Sequence, residues 1–155
     1  MKRLTPRGYA LYLLKLRDRS VGEIETKLKG KGFLESEISE TTEFLVEHNF
    51  LNDERFARNF VKQKLLSRQQ GTHLIRQKLR EKHLDNDIIE LVLSELDSET
   101  ELESACELSQ KWLSSHSKVP DDLRWNKLGS FLVRRGYDYD KVKIVLGKIL
   151  NKDNY

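Results

Sequence analysis

One spacing constrains this chain more than any other. Five apolar residues, Ile24, Leu28, Phe33, Ile38 and Leu45, recur 51 residues later as Ile75, Leu79, Leu84, Ile89 and Leu96. A further 53 residues on, Leu128, Leu132, Tyr137, Val142 and Ile149 repeat the pattern. Self-similarity at such a period marks tandem structural units, each too small to bury its apolar face alone and therefore stacked on its neighbour. Four residues after the central leucine come Gly32, His83 and Gly136. A helix ending on a left-handed residue is expected there, natural for glycine and less so for histidine. The pattern predicts three units, residues 1–50, 51–97 and 98–155.

Start and stop signals divide each unit into three helices. Thr5-Pro6 caps a helix to about Arg19, Ser20-Val21-Gly22-Glu23 reads as a capping box, and Ser36 is the expected cap of a helix ending near His48. In the second unit Asn52 caps a helix to about Arg68, Gly71 breaks it, Thr72 starts the next and Asp85 the third. The third unit begins near Ser98-Glu99-Thr100-Glu101, makes an excursion from Ser114 to Pro120, resumes at Asp121 or Asp122 and ends with a helix from about Asp138. No stretch reads as a strand. Phe56, Ala57, Phe60, Val61 and Leu65 form a narrow apolar stripe on one helical face. The expected fold class is all-α, three tandem three-helix repeats in an elongated, curved array.

Charge follows the same period. The net charge is +3, yet basic and acidic residues are almost completely separated. Residues 1–34 carry nine Lys/Arg against three Asp/Glu, and 35–54 carry none against seven. Residues 55–84 carry nine against one, 85–110 none against nine, and 111–155 ten against five. The first two helices of units one and two are thus basic, and the third helix of each of these units is acidic. Some of the acids, such as Asp53, Glu54, Asp85 and Asp87, fall in first turns, where the helix dipole favours them.

The densest basic run is the strongest candidate for a binding surface. Arg55, Arg58 and Lys62 are spaced three and four apart, opposite Phe56 and Phe60, and Lys64, Arg68, Arg76, Lys78, Arg80 and Lys82 follow. Such a face suits the phosphate backbone, where each neutralised charge adds salt-sensitive, sequence-independent affinity, although a basic helix face can equally be only solvated. Catalytic machinery is not expected. His48, His73, His83 and His116 never stand at metal-ligand spacing with a second His or Cys, and neither a phosphate-binding glycine loop nor a nucleophile elbow occurs. No cofactor or metal is therefore expected. Trp112 and Trp125 read as core anchors rather than base-stacking platforms, and Tyr137 as core. A single cysteine, Cys106, excludes an internal disulfide and reads as a buried filler. The N-terminal Met1-Lys2-Arg3-Leu4-Thr5-Pro6 lacks an apolar leader, and no run approaches membrane-spanning length. The expectation is a soluble cytoplasmic monomer that makes no membrane contact.

Asn49-Phe50-Leu51-Asn52-Asp53-Glu54-Arg55-Phe56-Ala57 resembles the Gly-Tyr/Phe-Leu-Asp/Asn-Asp-x-Arg-Phe-Ala signature of the RecX proteins, bacterial regulators of the RecA recombinase. Ser67-Arg68-Gln69-Gln70-Gly71 and Ile75-Arg76-Gln77-Lys78-Leu79 are similar to that family's Arg-x-x-Gly loop and second-helix segment. Phe131-Leu132-Val133-Arg134-Arg135-Gly136-Tyr137 resembles its final-repeat motif, which adds Arg134 and Arg135 to the candidates. Asn49 stands where the family has glycine, and asparagine tolerates the left-handed conformation best among the other residues. The resemblance implies three tandem three-helix repeats and a regulator that binds the RecA–DNA filament. It would contact single- or double-stranded DNA through its basic helices, limit filament extension and suppress recombinase, ATPase and coprotease activities in DNA repair and the SOS response. The alternative from the same basic units is an autonomous DNA-binding protein of helix-turn-helix type.

Overall fold

The computed structural model describes residues 4–150. Among these, nine α-helices and no strand occur: α1 (Pro6–Leu16), α2 (Val21–Gly30), α3 (Glu35–Glu47), α4 (Asp53–Lys62), α5 (Thr72–Glu81), α6 (Asn86–Ser94), α7 (Ser98–Ser115), α8 (Asp121–Arg134) and α9 (Tyr139–Leu150). A π-helical turn, Gln63–Ser67, continues α4. The helices fall three to each repeat, so the fold is all-α with three three-helix repeats. Of the apolar positions that defined the period, Phe33, Leu96 and Ile149 are half-buried and all the others are buried.

The second helix of every repeat ends in the same way. Gly32, His83 and Gly136 adopt positive φ of 86°, 62° and 94°. The next N–H, of Phe33, Leu84 and Tyr137, bonds back to the carbonyl five residues earlier, of Leu28, Leu79 and Leu132, at 3.3, 3.3 and 3.2 Å. That bond satisfies a carbonyl which the helix end would leave unpaired, and it turns the chain so that the following apolar residue packs back on the helix.

Contacts gather the described chain into two compact units. The first runs up to Asn59 and includes Leu79–Glu90; the second comprises Phe60–Lys78 and the chain from Leu91 onward. The first holds the core of repeat 1, where Ala10 and Leu13 of α1, Ile24 and Leu28 of α2, and Ile38 and Leu45 of α3 meet Leu51. The second holds the larger core of repeat 3, built on Ala105, Leu108 and Trp112 of α7, Leu128 and Leu132 of α8, Tyr137, and Val142, Val145 and Leu146 of α9.

Each unit also contains one joint between successive repeats. In the first, Ser20 Oγ donates to the Lys82 carbonyl at 2.6 Å, and Val21 N–H donates to Asp53 Oδ1 at 2.9 Å. A Cβ placed on Gly22 would lie 2.5 Å from the Cβ of His83. In the second, Gly71 N–H donates to the Arg135 carbonyl at 2.8 Å and His73 N–H to the Gly136 carbonyl at 3.0 Å. Thr72 N–H donates to Glu101 Oε1 at 3.0 Å. A Cβ on Gly71 would come within 2.4 Å of the Gly136 carbonyl group. Both joints therefore follow one plan: the start of the second helix of one repeat meets the left-handed turn of the next. The orphan N–H groups of that helix start are satisfied by a carboxylate from the first helix of the following repeat.

Several local expectations change. α1 stops at Leu16, and Arg17 is already extended. Ser36 lies inside α3; Leu34 precedes the helix, and its N–H donates to Glu37 Oε2 at 2.8 Å. The box at α2 is half formed: Ser20 Oγ accepts from Glu23 N–H at 3.1 Å, while the Glu23 carboxylate turns to Arg17 at 2.6 Å and Lys82 at 3.2 Å. Burial pushes the Glu23 carboxyl up, but the hydrogen bonds and charges of Arg17 and Lys82 outweigh it and hold it below its ordinary value. Cys106 is half-buried rather than buried.

Candidate nucleic-acid interface

The basic candidates divide between the two units. Arg55, Arg58, Arg80 and Lys82 belong to the first; Lys62, Lys64, Arg68, Arg76, Lys78, Arg134 and Arg135 belong to the second.

In the first unit, Asn49 takes φ of 59°, as its place in the turn before α4 requires. Arg55 Nη1 reaches back to the Asn49 carbonyl at 3.3 Å and to its Oδ1 at 3.4 Å, with the side chain half-buried. Arg55 thus braces a turn instead of lying on an open face opposite Phe56 and Phe60. Asn52 Oδ1 accepts from Arg55 N–H at 3.0 Å, which is the expected cap of α4. Lys82 Nζ bonds Glu23 and stands 5.9 Å from the centre of the Phe56 ring, so its charge serves the first joint. Arg58 and Arg80 are exposed, the former 3.3 Å from Glu54 and the latter bonded through Nε to Asn86 at 3.2 Å. Exposed pairs of this sort are worth about 0–1 kcal/mol, so a phosphate can compete for either guanidinium.

In the second unit, the π-helical turn brings Lys64 Nζ to 5.2 Å from the Phe60 ring centre and closes on Arg68. Gln69 then takes φ of 50°. This bend is held by Arg135, whose Nη2 donates to the carbonyls of Arg68 and Gln69, while its Nε is buried without a hydrogen-bond partner. Arg135 and Lys82 occupy equivalent positions, 53 residues apart, and both are committed to joints. Lys78 bonds Gln70 Oε1 at 2.9 Å, and Arg76 is half-buried. Lys62, Arg68 and Arg134 are exposed.

The acids that tie the repeats together do not come from the third helices. Glu101 on α7 is only 2% exposed, and it accepts from Thr72 N–H and Oγ1 and pairs with Lys141. Asp53 on α4 has its carboxyl pushed up by burial, which outweighs the hydrogen bond from Val21 N–H. The sequence signal for both was an acid in a first helical turn, which reads equally well as ordinary capping of its own helix. Ser104 bonds the Leu65 carbonyl at 2.9 Å and the Tyr137 hydroxyl at 2.8 Å, and burial pushes that phenol up to about 12. Among the described residues no group of His, Cys, Asp and Glu could hold a metal ion, and no helix is long and apolar enough to cross a membrane.

Three family models match in order along the chain: the first three-helix domain of RecX over residues 7–45, the second over 52–93 and the third over 99–146. A "Regulatory protein RecX" of Clostridium botulinum (strain Eklund 17B / Type B) is 42% identical over 86% of this chain, which spans 63% of that relative's length. One of the same description from Prosthecochloris aestuarii is 33% identical, with 91% of each protein covered. A crystal structure of RecX from Lactobacillus salivarius superposes with a TM-score of 0.84 at 24% identity, covering 93% of this chain and 94% of that one. This last likeness concerns the fold.

Proposed function

The chain belongs to the RecX family, and from that premise we propose that it is a regulator of RecA, binding the RecA–DNA filament in the cytoplasm, limiting its extension and thereby suppressing recombinase, ATPase and coprotease activities. The reading rests on one observation above all: three different RecX domain models match three successive repeats, in order, over most of the chain. The repeats are taken as residues 1–50, 51–97 and 98–155 of a monomer.

The basic candidates take graded roles in this reading. Lys62, Arg68 and Arg134 are the phosphate contacts of first choice, because these residues are exposed. Arg58, Lys64, Arg76, Lys78 and Arg80 come next, and Arg55, Lys82 and Arg135 support the fold. Non-specific contact of this kind releases counterions, so affinity should fall steeply with salt.

A salt titration of binding to RecA filaments assembled on single-stranded DNA tests the reading. The expected result is a linear fall of log affinity with log salt, with a shallower slope for the Lys62→Ala/Arg68→Ala variant. Tight, sequence-selective binding to bare duplex, with no preference for the filament, would replace the reading by that of an autonomous DNA-binding protein.

A further inference from the structure

A groove of about 690 Å³ runs between α8 and α9 in the third repeat. Trp125, Gly129 and Val133 line it from α8 at i, i+4 and i+8; Tyr139, Val142 and Leu146 line it from α9 at i, i+3 and i+7. Each set is a single helical stripe, so the groove is linear and about 12 Å long. Gly129 sets its floor, since a Cβ there would already meet Leu146 Cδ1 at 3.2 Å. Val133 and Tyr139 are 47% and 63% exposed, apolar surface that a partner could cover. The charged side chains lining the groove are both cationic, Arg134 and Lys143.

We propose that this groove docks an acidic amphipathic helix of a protein partner. Length and shape favour a helix of two to three turns, whose apolar residues at i, i+3, i+4 and i+7 would meet the two stripes. The two cations favour carboxylates along its flanks. A nucleobase fits less well: the Lys143 ammonium already stands 4.6 Å from the centre of the Tyr139 ring, which leaves Trp125 as the other aromatic of the lining. The site shares Arg134 with the filament-binding reading, but Lys143 and the two apolar stripes are its own, and it adds a protein contact confined to the third repeat.

The test uses the full isotope-labelled chain in solution, without RecA. The probe is a synthetic amphipathic helix about three turns long, with leucines on one face and glutamates elsewhere. A lysine-for-glutamate version and oligo-dT serve as comparisons. The expected result is saturable chemical-shift change at the Trp125 indole N–H and the Gly129 amide, with affinity about tenfold weaker for Arg134→Glu/Lys143→Glu. Val133→Glu, at an exposed position, should weaken it with an otherwise unchanged spectrum. No saturable shift, or equal binding of the lysine peptide, would overturn the proposal. So would shifts produced by oligo-dT but not by the glutamate peptide, or self-association burying Trp125 in the absence of peptide.

Discussion

The two joints between repeats share a plan and differ in how they carry it out. The first is polar and partly open: Asp53 caps the start of α2 while Glu23 gathers Arg17 and Lys82. The second is tighter: Gly71 and Gly136 let backbone lie on backbone, and a fully buried Glu101 caps α5 with Lys141 as counter-charge. The difference traces to single residues. Where the second joint has glycine in the left-handed turn, the first has His83, whose Cβ lies against Gly22. One period of sequence thus gives one joint edged by partly exposed charges and another built on glycine contacts around a buried carboxylate.

The largest way to break this contrast is Glu101→Ala, which strands Lys141 beside the uncapped start of α5. Chemical denaturation should show a loss of about 3–5 kcal/mol, whereas Asp53→Ala in the first joint should cost about 1–2 kcal/mol, as for an ordinary lost cap. Equal losses would erase the distinction. Next is Gly71→Ala, which forces a methyl group into the Gly136 carbonyl and should cost about 1–3 kcal/mol or more by overpacking. Gly22→Ala should cost less in a His83→Gly background than alone, because the Cβ it meets is then gone. A double-mutant cycle measures that coupling, and additive effects would contradict the geometry.

The smallest effect concerns pH. Burial raises the Asp53 carboxyl, so the folded chain favours its protonated form, and stability present below the ordinary carboxylate range is lost as pH rises through the raised value. Asp53→Asn keeps an acceptor for Val21 N–H and removes the charge. Its melting temperature should exceed that of the parent at neutral pH and converge with it below about pH 4. Glu23 runs the other way. Its lowered carboxyl contributes stability above the ordinary range that is lost on acidification, so Glu23→Gln should destabilise at neutral pH and cease to matter in acid. No Glu101 variant should reproduce the gain at neutral pH expected of Asp53→Asn.

The three-repeat plan was legible because it rests on local signals repeated three times: apolar spacing, a left-handed residue after the second helix and, in every case, the same closing bond. The positive φ of Gly32, His83, Gly136 and Asn49 follows from sequence position alone. Joint chemistry was less legible. Whether Glu101 caps α7 or reaches α5 depends on which helix packs beside it, and first-turn acids look alike in sequence. Gln69 carried no signal at all; its left-handed conformation follows from the π-helical turn before it and from Arg135 beneath it. Among the basic residues, density located a charged region but could not separate Arg135 and Arg55, which hold turns, from Lys62 and Arg68, which face water.

The central claim is regulation of RecA, and ATP hydrolysis by RecA on single-stranded DNA tests it most directly. Adding this chain at stoichiometric amounts should depress the rate, and Lys62→Ala/Arg68→Ala, folded as judged by an unchanged melting temperature, should depress it less. An unchanged rate in the presence of the folded parent chain would contradict the account.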